Sequence, residues 1–245
     1  MLNIAFNTFK EIVRNKFLYL IIFFALVLIV FSLALGKLTI ESQKVILDFI
    51  AMIEIFLIVL FVSQLLFKEI DGKTIFLILS KPIKRYEFIL KFLFSFIILL
   101  ITFIQSILYL FVLYFNSIQI DFLLIMSIVF IFLKLLITLA IVMFLSTFMS
   151  NILTIITTIF IYFISHSFSL LIDMATKSKD QIFIYFTKIV QLLFPPFEAI
   201  NLKDYISVIS FNYIYFLSNI AYSIIYLFLI LIITILIFNR KKFEN

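Results

Sequence analysis

FLLIMSIVFIFLKLLITLAIVMFLSTFM, Phe122 to Met149, runs for 28 residues with a single charge, Lys134. A helix rises 1.5 Å per residue, so roughly 20 apolar residues cross the ~30 Å hydrocarbon core of a bilayer. This run is long enough. Hydrocarbon offers no water to backbone N–H and C=O groups, so a continuous run of this kind satisfies them internally as an α-helix. Comparable runs occupy residues 17–35, 45–67, 92–115, 152–172 and 213–238. The sequence therefore predicts an all-α polytopic membrane protein: one transmembrane domain, 1–245, with six transmembrane helices. Only Ser150-Asn151 separates the fourth run from the fifth.

Composition agrees. The chain is 66% hydrophobic and 13% charged, with a mean hydropathy of +1.32. A soluble globular domain carries roughly 25% charged residues. Zero cysteines exclude disulfides and thiolate metal sites. The net charge of +6 comes from 16 Lys and 3 Arg spread over ends and loops. That distribution orients a protein in a lipid bilayer rather than building a nucleic-acid surface, and no nucleic-acid partner is expected. With the N-terminus inside, the inner segments hold twelve Lys and Arg and the outer segments six. The positive-inside rule then predicts the cytoplasmic (inner) membrane, crossed several times, with both termini cytoplasmic.

Residues 1–16 place Leu2, Ala5, Phe6, Phe9, Ile12 and Val13 at helical spacing opposite Asn3, Asn7, Lys10, Glu11 and Arg14. This pattern predicts an N-terminal amphipathic helix lying in the membrane interface. A cleaved leader is the alternative, with Ser32-Leu33-Ala34 as its site, but Phe17–Leu35 exceeds the usual apolar core of a signal peptide. Residues 173–212 form an outer segment. There Ile182, Ile184, Phe186, Ile189, Val190, Leu192, Leu193 and Phe194 run into Pro195-Pro196, which ends any helix. One or two short helices are expected, dipping into the outer leaflet or capping the bundle.

One polar interruption stands out, KEIDGKTIFLILSKPIKRYEFILK, Lys68 to Lys91, with six of the 19 Lys and Arg. Its Ile75-Phe76-Leu77-Ile78-Leu79 core suits insertion into a partner groove or the interface, and Lys84, Arg85 and Glu87 offer ion pairs at its rim. An ordinary positive-inside loop is the plain alternative.

Several chemistries are missing. A phosphate-cradling loop needs glycines followed by Lys and Ser or Thr, and Gly36 and Gly72 lie in no such context. A single histidine, His166, makes neither a His-rich metal site nor a triad. No catalytic site, metal site or bound cofactor is expected, so energy must come from a gradient or another polypeptide.

Glu69-Ile70-Asp71-Gly72-Lys73-Thr74, Leu77-Ile78-Leu79-Ser80-Lys81-Pro82 and Arg85-Tyr86-Glu87-Phe88 together resemble the pattern of permeases of the type-2 ABC exporter class. Leu193-Phe194-Pro195-Pro196-Phe197-Glu198-Ala199-Ile200-Asn201 is similar to that family's outer stretch, most of all in the branch containing the nitrous-oxide-reductase maturation permease. The sequence departs from the pattern at Lys73, where Gly is usual, at Leu90-Lys91, which lacks a Gly, and at Pro196, where Asn is usual. The resemblance implies that 68–91 is a cytosolic coupling helix, with Glu69, Thr74, Leu79, Ser80, Pro82, Arg85 and Glu87 coupling to the ATPase. It also implies two copies of an ABC ATPase subunit carrying ATP and magnesium, and a second permease chain, identical or related. A gradient-driven secondary transporter or channel is the other reading.

Asp48, Glu54 and Lys134 are charges within apolar runs, where each costs about 2.5–3.5 kcal/mol at the centre of a span. Glu54 lies about 14 Å and Lys134 about 18 Å from the outer ends of their runs, close enough in depth to predict a pair or a shared pathway. Asp48 is near enough to the surface to meet headgroups. His166, about 9 Å from the outer end of its run, suits a hydrogen bond between helices or a contact with substrate. Tyr205, Tyr213, Tyr215, Tyr222 and Tyr226 fit an interfacial belt.

Overall fold

The computed structural model describes residues 122–178, 180–197, 200 and 213–240, with positions 19, 23, 27, 52, 53, 55, 56, 59, 60, 62–64, 67, 68, 103, 106, 107, 110 and 114. Among the described residues five continuous helices follow one another: α1 (Phe122–Ser146), α2 (Asn151–His166), α3 (Phe168–Ser178), α4 (Gln181–Leu193) and α5 (Tyr213–Arg240). Among the described residues there is no strand. Among the described residues two helices are long and apolar enough to cross a membrane, at Met126–Ser146 and Phe216–Arg240, and α2 with α3 makes a third if the bent pair is one span. The chain is thus an all-helical protein with the helices of a membrane protein.

The expected spans at 17–35, 45–67 and 92–115 lie largely outside the described residues, as do the N-terminal helix 1–16 and, Lys68 excepted, the coupling segment 68–91. Where positions in those spans are described, the backbone is helical. In the second of them Ile55, Val59, Val62 and Ser63 are buried and Gln64 and Lys68 are exposed, the one-sided pattern of a helix packed on a bundle.

Helix α1 is the centre. Leu135, Ile137, Leu139, Ala140 and Val142 are all at 0% exposure, and consecutive residues are buried on every side of its second half. It ends where Ser146 and Thr147 turn back, their hydroxyls donating to the Met143 and Phe144 carbonyls at 2.7 Å each. Those bonds serve carbonyls that a helix end otherwise leaves without partners. After a four-residue turn, α2 packs back against α1.

The single span expected over 152–172 is broken instead. Helix α2 stops at His166, and the axes of Asn151–His166 and Leu170–Ser178 differ by 53°. Ser167 explains the break. Its N–H closes a tight turn on the Ile164 carbonyl at 3.0 Å, and its hydroxyl bonds back to the Phe163 carbonyl at 2.9 Å. Such back-bonding competes with the helical ladder and bends it.

Helix α4 begins at Asp180, whose carboxylate accepts from the Ile182 N–H at 3.0 Å as a side-chain cap. It packs on α3. Helix α5 packs on α1, and Phe130 meets Phe216 edge to face with ring centres 4.7 Å apart. Further along, Ile141 and Leu145 of α1 share a cavity wall with Leu229 and Ile233 of α5. Both contacts keep a similar offset in sequence, so α1 and α5 run parallel.

Candidate functional site

Three polar residues of α1, Ser127, Lys134 and Thr138, recur at i, i+7 and i+11 and so share one helical face. All are buried, Lys134 at 3% exposure. Lys134 is the thirteenth of 25 residues in α1, about 18 Å from its start and at the middle of the helix. The Thr138 hydroxyl donates to the Lys134 carbonyl at 2.8 Å, which satisfies it within the helix. Glu54, the partner expected for Lys134, lies outside the described residues, as do Asp48 and the coupling positions Glu69, Thr74, Leu79, Ser80, Pro82, Arg85 and Glu87.

Helix α2 is more unusual. Its buried residues are Thr154, Thr158, Tyr162 and Ser165, a polar stripe at i, i+4, i+8 and i+11, while Ile152, Leu153, Ile156, Phe160, Phe163 and Ile164 are exposed. The helix is inside out relative to one in water, as suits a lipid surround. Thr158 donates to the Thr154 carbonyl at 2.7 Å. Among the described residues, the buried atoms Asn151 Oδ1, Thr154 Oγ1 and Ser165 Oγ find no hydrogen-bond partner. A buried polar atom left unpaired costs about 1–3 kcal/mol, which calls for a role in binding something polar. The spacing of these hydroxyls inside 152–172 was a signal in the sequence, and hydropathy alone passes over it.

His166 ends α2. Its ring stacks on Tyr162, centres 5.5 Å apart and planes inclined by 21°. Tyr162 also meets Phe197, at 5.7 Å. The structure thus joins His166 to the Leu193–Phe197 stretch, two features that are far apart in the chain.

That stretch sits deep. The Tyr226 hydroxyl donates to the Leu193 carbonyl at 3.0 Å, and Tyr226 is about 20 Å along α5 from Tyr213, near the helix midpoint. The turn after α4 therefore reaches the level of mid-span. Tyr226, one of the tyrosines expected in an interfacial belt, makes this contact. Non-helical backbone at such depth must have its polar groups met. Here Phe197 N–H donates to the Pro195 carbonyl at 2.8 Å and Ile200 N–H to the Pro196 carbonyl at 3.2 Å. Pro195 and Pro196 carry no N–H, so the turn buries two fewer donors than any other residue pair would. Both prolines, Phe197 and Ile200 are buried.

Between α1, α2, the end of α4 and α5 lies a cavity of about 410 Å³. Among the described residues its lining is apolar, with Tyr226 the one polar side chain.

No family model matches the chain, and neither a curated protein nor a solved structure is found to be similar to it.

Proposed function

We propose that this chain is the permease subunit of an ATP-driven ABC exporter in the cytoplasmic membrane, with both termini cytoplasmic. The observation that carries the reading is the charged stretch Glu69–Phe88, with its resemblance to the coupling segment of type-2 exporters, set in an otherwise apolar chain of membrane-type helices. Two ATPase subunits, binding ATP and magnesium, would close against residues 68–91 of this chain and of a second permease chain, identical or related. The permease has no catalytic role of its own; it converts that closure into a change of helix packing. A ligand shifts such an equilibrium only by its different affinity for the two states, and ATP on the partner supplies the difference.

The buried stripe on α2 supports a route for a polar group. Asn151, Thr154 and Ser165 present unpaired oxygens there, and each would gain a hydrogen bond from a passing substrate or its water.

A gentle-detergent purification of the chain, followed by an ATPase assay of what accompanies it, tests the proposal. Activity that is uncoupled or lost in an Arg85→Glu/Glu87→Lys variant is the expected result. Absence of any nucleotide-binding subunit under several mild conditions overturns it. The second reading, a gradient-driven transporter, draws on Lys134 buried at mid-span. It requires transport by the chain alone in vesicles without ATP.

A further inference from the structure

The cavity between α1, α2, the α4 turn and α5 has a floor and a mouth. Ile141 and Leu145 of α1 form the floor, at 3% and 4% exposure. Leu193, at 72%, and Leu229 and Ile233, at 53% and 45%, form exposed walls, so the mouth opens between the end of α4 and α5. The same two α5 residues belong to its outward apolar surface with Phe228, Ile232 and Leu236. The groove is thus continuous with the face that a spanning helix turns to lipid.

Among the described residues that line it, nothing asks for a polar occupant. Its one polar side chain, Tyr226, spends its hydroxyl proton on the Leu193 carbonyl, and the Pro195 carbonyl already accepts from Phe197. Water needs two to four polar partners to occupy a cavity, and apolar cavities of only ~150 Å³ stay dry and take up small apolar molecules. At about 410 Å³ this one is within the size range of ligand sites.

We infer that the groove is a binding site for one hydrocarbon chain of a bilayer lipid, seated against Ile141 and Leu145 and closed at one end by the Tyr226–Leu193 bond. The chain wedges between the α4 turn and α5, which places it against the contact that holds Leu193–Phe197 at mid-span. The inference needs no ATPase and holds whichever way transport is driven.

The test uses the full chain, with any subunit that accompanies it, in vesicles of phosphatidylethanolamine and phosphatidylglycerol. A fraction of the lipid carries a diazirine near the end of one acyl chain, and adducts are mapped by peptide mass spectrometry after irradiation. Bulk lipid reaches only outward residues. A seated chain labels the floor residues Ile141 and Leu145 several-fold above Phe228, Ile232 and Leu236. Filling the groove with Ile230→Trp should abolish floor labelling and leave outward labelling intact. Wild-type labelling confined to the outward residues overturns the inference, whether the space is closed or filled by another helix. So does floor labelling that persists in a folded Ile230→Trp protein. The wild-type pattern decides by itself should that variant fail to fold.

Discussion

The most apolar stretches of helices α1 and α5 have the same mean hydropathy, yet 61% of that stretch is buried in α1 against 17% in α5. In water such equality would imply similar burial. In a bilayer it does not, because lipid tails are as apolar as leucine and burial against protein gains little from hydrophobicity. What separates the two helices is where their polar residues fall. Helix α5 buries one stripe, Ser223, Leu231, Thr234 and Phe238, spaced as a single helical face. Its two hydroxyls donate to Asn219 and Ile230 carbonyls of the same helix, both at 2.7 Å. Helix α1 buries hydroxyls, a lysine and the apolar residues around them. Helix α2 repeats the lesson, since its buried face is Thr154, Thr158, Tyr162 and Ser165. In α2, and in α5 from Ser223 onward, hydroxyls mark the protein-facing side.

The contrast can be broken most directly in the two cores. Leu139→Ala, at a site with 0% exposure, should cost about 2–5 kcal/mol of stability through the cavity it leaves. Ile232→Ala, at 53% exposure on α5, should change stability by less than about 0.5 kcal/mol, because lipid fills the gap. Unfolding titrations in mixed micelles measure both, and equal losses would end the distinction between a central and a peripheral helix.

Tyr226→Phe comes next. It strands the Leu193 carbonyl at mid-span and should cost about 1–3 kcal/mol. Hydrogen exchange should rise at Phe194 and Phe197 while α1 stays protected; unchanged exchange there would mean that the bond does not hold the turn.

Hydroxyl removal sharpens the comparison because the expected sign differs between helices. Thr154→Val deletes an oxygen that has no partner and should stabilise by about 1 kcal/mol, while lowering transport if the α2 stripe is the route. Thr234→Val deletes a hydroxyl bonded within α5 and should cost about 0.5–1.5 kcal/mol, the usual net contribution of an intramolecular hydrogen bond. Thermal melts with a transport assay read both effects.

Of similar size is the aromatic link between the helices. A double-mutant cycle on Phe130→Leu and Phe216→Leu should return a coupling of about 0.5–1.5 kcal/mol, favourable to the wild-type pair. Zero coupling would place the edge-to-face contact outside the forces that set the α1–α5 register.

Much of this was legible residue by residue. Lys134 was visible as a charge at mid-run, and its burial follows from the expense of leaving an ammonium to hydrocarbon. The stop at Pro195-Pro196 was visible too, and α4 ends just before it, at Leu193. The break at Ser167 was not, since a serine in an apolar run either continues the helix or bends it, according to what packs on either side. Nor was the link between His166 and Phe197. It passes through Tyr162, whose ring touches both, and no local pattern announces a contact of that range.

Hydropathy and the absence of water in a bilayer were enough to settle an all-helical membrane protein, because only internally bonded backbone survives in hydrocarbon. They were silent on rank within the bundle. Transfer into lipid and transfer into a protein interior have nearly the same free energy for Ile, Leu and Phe, so the equal hydropathy of their most apolar stretches does not say which of α1 and α5 is buried. Tertiary structure made that choice, through the few polar side chains that lipid refuses and a neighbouring helix accepts. It also brought the Leu193–Phe197 turn down to the level of Tyr226, where two prolines and three hydrogen bonds make a buried bend tolerable.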